Sequence, residues 1–167
     1  MDEFQHKILP LKNKLFRFAL SVVANKELAE DLVQDAYVKL WKSRKQLAEV
    51  RNLEAWTMRM VKNLCIDHFR GARSYVGIVA DGIDMMDKGA APDKVTEQKN
   101  EMELLEAIMN RLPEQQRMVF QLREVEAYSY KEIAEILEIS MDSVKVNIHR
   151  ARKFMRTELE KVVNYGL

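Results

Sequence analysis

From Ser129 to Arg156 the chain spells two amphipathic segments separated by three residues, and that spacing leaves few folds open to it. Ser129 followed by Glu132 is a capping box: the hydroxyl accepts from an orphan amide of the first turn while the carboxylate reaches back to the cap. A helix is therefore predicted from Tyr130, with Ile133, Ala134 and Leu137 on one apolar face. Glu138-Ile139-Ser140 makes the turn. Ser140 can cap a second helix and Asp142 suits its positive end; Val144, Ile148, Ala151 and Met155 form its inward stripe. A connection this short is that of a helix-turn-helix, whose second helix enters the DNA major groove.

The outward residues of that second helix decide between DNA binding and mere packing. Ser143, Val146, Asn147 and Arg150 are expected to share one face, with Lys145, His149, Arg152 and Arg156 along its flank. From Met141 to Lys161, six Lys or Arg stand against three acids. Such a stripe suits phosphates, and Asn and Arg can offer paired hydrogen bonds to base edges. A charge run is usually just a solvated face. Turn spacing, double capping and charge placement together favour DNA.

The formal net charge of +1 conceals an uneven distribution along the 167 residues: +5 over residues 1–74, −5 over 75–128 and +1 over 129–167. Four of the five glycines, Gly71, Gly77, Gly82 and Gly89, gather around the start of the acidic stretch, and no sustained apolar period runs from there to Asn100. The expected organisation is all-α. Two small helical domains, 1–74 and 101–167, are joined by a flexible linker, 75–100, and the second contains the helix-turn-helix. In that second domain a helix from about Glu101 ends before Pro113, which suits the first turn of the next helix.

Three amphipathic helices are predicted upstream of the linker. The first runs from about Phe4 to Ala24, with Ile8, Leu11, Leu15 and Ala19 inward. The second follows Asn25 as cap, with Leu28, Leu32, Ala36 and Leu40 inward and Glu30, Asp31, Gln34 and Asp35 opposite. The third starts near Asn52, with Trp56, Met60, Val61, Leu64 and Cys65 inward and Arg59, Lys62, Asn63, Asp67 and Arg70 exposed. Trp56 at helical spacing is more often core than a platform for an unstacked base. Cys65 shares a face with Val61, His68 and Phe69 and reads as a small buried apolar residue. A single cysteine excludes an internal disulfide, and Cys65 with His68 is too sparse a set for a metal. No cofactor is expected. The N-terminus lacks the layout of a signal peptide and no apolar run approaches a membrane span, so the expected location is the cytoplasm, without membrane contact.

Two sets of motifs, in order, carry a resemblance to a known family. Ala29 to Asp35, Leu40-Trp41, Ala55-Trp56 and Asn63 to Arg70 resemble the first conserved domain of bacterial extracytoplasmic-function sigma factors. Leu112 to Arg117, Tyr128 to Leu137, Val144-Lys145 and His149 to Arg152 resemble the second. The resemblance covers about residues 10–160 apart from the linker, and implies a sigma factor that binds core RNA polymerase and recognises and melts promoter DNA.

The resemblance also implies roles at the matching positions. Asp31, Leu32, Gln34, Asp35 and Trp41 would dock on core polymerase. The third helix and the loop before it would read and melt the minus-ten element, through Arg51, Asn52, Trp56, Arg59, Lys62, Asn63, Asp67, Arg70 and Arg73. Tyr130, Ser143, Lys145, Val146, Asn147, His149, Arg150 and Arg152 would hold the minus-thirty-five element as duplex. The acidic linker would enter the polymerase cleft, and an anti-sigma factor is a partner that family members commonly have. Three departures stand out: Asp142-Ser143 replaces the usual Gly-Thr, Val146 replaces the common small hydroxyl residue, and Glu138 occupies a turn position often given to glycine, at little cost if its backbone stays near helical angles.

Other classes explain less. A helix-turn-helix regulator acting without polymerase accounts for residues 112–160 but leaves the polar faces around Glu30 to Asp35 and Asn63 to Arg70 without a purpose. An enzyme would need a nucleophile with activating groups, and Ser21, Ser43 and Ser74 sit in no strand-turn context, with no glycine-rich phosphate loop nearby. A purely structural adaptor would have no DNA affinity.

Overall fold

The computed structural model describes residues 3–76 and 97–165, all of whose regular structure is helical. Most of the segment expected as linker lies outside the described residues. In chain order the helices are α1 (Glu3–Lys7), α2 (Lys12–Val23), α3 (Lys26–Lys42), α4 (Leu53–Val76), α5 (Glu97–Met109), α6 (Glu114–Phe120), α7 (Tyr130–Leu137) and α8 (Met141–Tyr165). The first expected helix is broken in two. Pro10 has no amide proton to give, and the chain passes through a 3₁₀ turn, Leu9–Leu11, between α1 and α2. At the other extreme α4 continues through Gly71 to Val76, beyond the point where the glycines suggested a stop.

Local chemistry sets the helix starts. The Asn25 side chain accepts from the Leu28 amide at 3.0 Å to open α3, and Asn52 accepts from the Ala55 amide at 3.0 Å to open α4. The capping box is complete: the Glu132 amide donates to Ser129 Oγ at 3.1 Å, and the Ser129 amide to Glu132 Oε1 at 3.2 Å. Ser140 Oγ takes the Ser143 amide at 3.1 Å and starts α8. Between α6 and α7 the chain widens into a π-helical turn, Gln121–Val125, closed by the Glu126 amide on the Gln121 carbonyl at 3.1 Å.

The two halves share one core. Phe18, Val22, Met58, Val61 and Cys65 of the first half are buried in one cluster with Val119, Leu122, Ile133, Ile136 and Val144 of the second. Here α4 lies along α7 and α2 against α6. Smaller clusters close each end: Ile8, Leu40 and Leu47 with partly buried Trp56, and Ile108, Leu112, Ala151 and Met155 around the rear of α8. Neither half could be read from the sequence as covering the other, because each stripe is equally consistent with a separate core.

Polar contacts line the same seam. Arg17 of α2 grips Glu126 with two nitrogens, Nε to Oε1 at 2.7 Å and Nη2 to Oε2 at 2.9 Å. Glu126 is buried, so this fork satisfies a carboxylate that would otherwise be costly to desolvate. Beside it the Tyr128 hydroxyl donates to Glu54 Oε1 at 2.6 Å, an oxygen that also accepts from Lys14 at 2.9 Å. Burial, first, and then the Glu54 carboxylate hold the Tyr128 phenol strongly to its protonated form.

The turn of the helix-turn-helix departs from expectation. Glu138 sits at φ 57°, ψ 45°, in the left-handed region, and not near helical angles. For a residue with a Cβ this conformation costs about 1 kcal/mol. It ends α7 by turning the Glu138 and Ile139 amides back onto the Ala134 carbonyl.

Candidate nucleic-acid interface

Both helices of the helix-turn-helix are capped and both bury their apolar sides. Val144, Ile148, Ala151 and Met155 are all buried, which fixes the rotation of α8. That rotation leaves Lys145, Val146, His149 and Arg150 exposed, with Ser143 half-covered at the helix start. Asn147 departs from expectation. It is buried, and its amide nitrogen donates to the Ser143 carbonyl at 2.9 Å and to Ser143 Oγ at 3.2 Å. Its position in the helix turns it toward the Val144–Ile148 stripe, so its donors serve α8 itself.

Two further residues from the expected duplex-reading set face the body of the domain. Arg152 pairs through Nε with Glu124 in the π-helical turn, and the hydrogen bond to that carboxylate holds its proton still more firmly. Tyr130 is half-buried, with the Arg123 guanidinium 4.9 Å from its ring centre. Arg123 also donates to the Tyr128 carbonyl at 2.9 Å. No feature of the linear sequence pointed to Arg123 or Glu124 as their neighbours.

On α4 the expected minus-ten set divides in three. Asn63, Asp67 and Arg70 are exposed on one side, and Arg51 is exposed just ahead of the helix. Trp56 is half-buried: it packs against Ile8, Leu40 and Leu47, and also walls a cavity of about 240 Å³ with Arg59, Asn63 and Asp67. The tryptophan thus contributes to the core and also lines an open cavity. A third group turns toward the second half. Asn52 donates to Glu132 Oε2 at 3.4 Å, Arg59 Nη1 stands 3.7 Å from Glu138 Oε1, and Lys62 donates to Glu138 Oε2 at 3.1 Å. Lys62 was expected on the open side of α4 and is buried, because α7 packs over that side. The Lys62 hydrogen bond holds the Glu138 carboxyl below its ordinary value. Arg73 lies on α4, but its side chain is outside the described residues.

On α3, Asp31, Gln34 and Asp35 are exposed in a row with Val38. Trp41 is 45% exposed at the end of that helix, between Phe4, 5.3 Å away, and the Arg44 guanidinium, 4.2 Å away. Leu32 is not part of this surface. It is buried among the core residues, as its place in the leucine stripe required.

Cys65 is buried, and burial pushes its thiol up to about 12. His68, expected beside it on the same face, is exposed. Among the described residues no group of three His, Cys, Asp or Glu side chains is arranged to hold a metal ion, and no helix is long and apolar enough to cross a membrane.

Comparison with known proteins sets this geometry in a family. Residues 8–75 match Sigma-70 region 2 and residues 102–155 match Sigma-70, region 4. The RNA polymerase sigma-E factor of Streptomyces avermitilis is 31% identical over 158 residues, spanning 95% of this chain and 86% of that protein. The ECF RNA polymerase sigma factor SigW of Bacillus subtilis is 26% identical over 174 residues, spanning 95% and 89%. In fold, the chain resembles the sigma factor RpoE, solved in complex with the anti-sigma factor NepR from Bartonella quintana, at a TM-score of 0.78 and 24% identity over 96% of this chain and 98% of that one. With two sigma regions in order and a relative of this identity along nearly its whole length, the chain belongs to the extracytoplasmic-function family of RNA polymerase sigma factors.

Proposed function

We propose that this chain works as the promoter-reading subunit of RNA polymerase with a division of labour among three surfaces. It binds core RNA polymerase and directs promoter-specific transcription initiation. The exposed row Asp31, Gln34 and Asp35 of α3, with Trp41 at its end, docks on the polymerase. The exposed side of α4, Asn63, Asp67 and Arg70, with Arg51 and the Trp56 slot, takes the melted minus-ten strand. Ser143, Lys145, Val146, His149 and Arg150 of α8 read the minus-thirty-five duplex. Melting needs a place for an unstacked base beside basic groups for the freed backbone, and the Trp56 cavity bordered by Arg59 supplies both. The chain carries no catalytic step in this reading: the polymerase supplies the chemistry, and the work belongs to the cytoplasm, where the chromosome is. An anti-sigma factor is a further proposed partner.

The observation that carries this reading is the presence in one chain of two separate candidate DNA surfaces and an acidic row apart from both. A duplex-binding regulator uses only the α8 surface. The experiment is reconstitution: purified chain and bacterial core polymerase on genomic DNA, with start-site-specific transcripts as readout. Asp31→Lys together with Asp35→Lys should weaken polymerase binding at least about tenfold in a pull-down titration, with helicity unchanged, since both side chains face solvent. Wild-type affinity in the double variant would remove α3 from the docking surface.

A further inference from the structure

One side chain of α8 is out of keeping with its surroundings. Val146 is 46% exposed and joins none of the apolar clusters formed by the described residues. Buried Val144, Ile148, Ala151 and Met155 fix which way α8 faces, and at about 100° per residue Val146 falls almost diametrically opposite their stripe. Its neighbours one turn before and one turn after are Asp142, Ser143, His149 and Arg150, all polar. Among the described residues from Ser143 to Arg156, no other apolar side chain is exposed. A β-branched residue at such a site also favours the helix less than alanine or lysine would.

The structure narrows what can read DNA around it. The Asn147 amide is spent on Ser143, and the Arg152 guanidinium on Glu124. Val146 is left at the centre of the outward face, with His149 to one side and Arg150 to the other. Valine has no donor and no acceptor, so it can bond neither a phosphate oxygen nor a polar base edge. It offers two methyl groups. In the major groove the apolar counterpart is the 5-methyl group of thymine, set among hydrogen-bonding groups on every other base. Bringing the two together removes apolar surface of both from water, a gain that scales with the area covered. Cytosine in the same place would turn its amino hydrogens toward a side chain that cannot accept them.

We propose that Val146 selects thymine at one base pair of the minus-thirty-five element by contact with its 5-methyl group. This rests on the assignment of α8 to that duplex. Preference at the pair is then set by an apolar contact, while the charged and polar neighbours set register and read the flanking pairs. A second consequence follows: what is recognised is the methyl group, so 5-methylcytosine is favoured over cytosine at the same position.

The test uses holoenzyme assembled from the full chain and core polymerase, on promoter duplexes mapped by start-site transcripts from genomic DNA. Each thymine of the minus-thirty-five element, on either strand, is replaced in turn by uracil, which differs only in lacking the methyl group. Wild-type holoenzyme should lose about threefold to tenfold in affinity at one position and bind the other uracil duplexes as it binds the parent. Holoenzyme carrying Val146→Ser should bind thymine and uracil alike at that position, and Val146→Thr, which keeps one methyl, should retain part of the difference. With wild type, 5-methylcytosine there should bind at least about threefold more tightly than cytosine. If no uracil weakens binding although scrambling the whole element does, the valine contact is wrong and α8 still reads the duplex. If one uracil costs wild type and Val146→Ser the same, the methyl group is sensed elsewhere and the proposal is equally overturned. If scrambling the element costs wild type nothing, the assignment of α8 fails and the proposal falls with it.

Discussion

Single residues show where pattern reading reaches its limit. The apolar positions were legible: Leu15, Ala36, Val61, Ile133 and Ile148 are all buried where helical spacing placed them. Polar residues beside a stripe were not, because a rotation of some tens of degrees decides whether they meet solvent or a neighbour. Asn147 and Lys62 fell inward for that reason, one onto its own helix and the other beneath α7. Glu138 was noticed as unusual in its turn, but a linear sequence cannot show what its side chain meets. Cys65 offers a direct check on burial. With a thiol near 12, the fraction ionised at pH 8 is on the order of a thousandfold smaller than for an unperturbed cysteine, so iodoacetamide should modify the native chain that much more slowly than the chain in denaturant. Mass spectrometry reads both rates, and equal rates would mean that α4 does not hold Cys65 inside.

Among the elements, capped helices were legible and interruptions were not. Asn25, Asn52, Ser129 and Ser140 each cap as their positions before an apolar period required. The break at Pro10 was missed because the apolar period runs straight across it; the missing amide proton outweighed the periodicity. The π-helical turn left no mark on the pattern at all. The orientation of α8 assigns different work to neighbouring basic residues. Lys145 and Arg150 project near the start of the helix, whereas Arg156 lies beyond them, against the cavity formed with Phe120 and Leu159. Arg150→Ala should therefore cost about 1–3 kcal/mol of holoenzyme binding on an intact minus-thirty-five element and much less on a scrambled one. Lys145→Ala should impair use of that element as well, and Arg156→Ala should do so least. A salt series with both elements separates these cases. An equal loss for Arg150→Ala on intact and scrambled DNA would exclude base readout by that residue.

At the scale of the whole molecule, the two motif sets named the halves, while their association was invisible, since nothing in a stripe of leucines says which helix will cover it. The seam that resulted is pH-dependent in a definite direction. Lys62 lowers the pKa of Glu138 in the folded chain, so the ionised carboxylate contributes stability in full above the ordinary carboxylate value. That contribution is lost as pH falls through the depressed value of the folded state. Thermal unfolding of wild type and Glu138→Gln should accordingly differ near pH 7 and converge in acid. A difference that persisted unchanged to pH 3 would show that the carboxylate charge is not what holds Lys62. The same pair also constrains how the sequence can drift. A buried ammonium that loses its carboxylate is stranded, and a carboxylate in a left-handed turn that loses its ammonium keeps the strain without the contact. Positions 62 and 138 should therefore change together across descendants of this chain, and glycine should enter the turn only in lineages where residue 62 has already given up its charge.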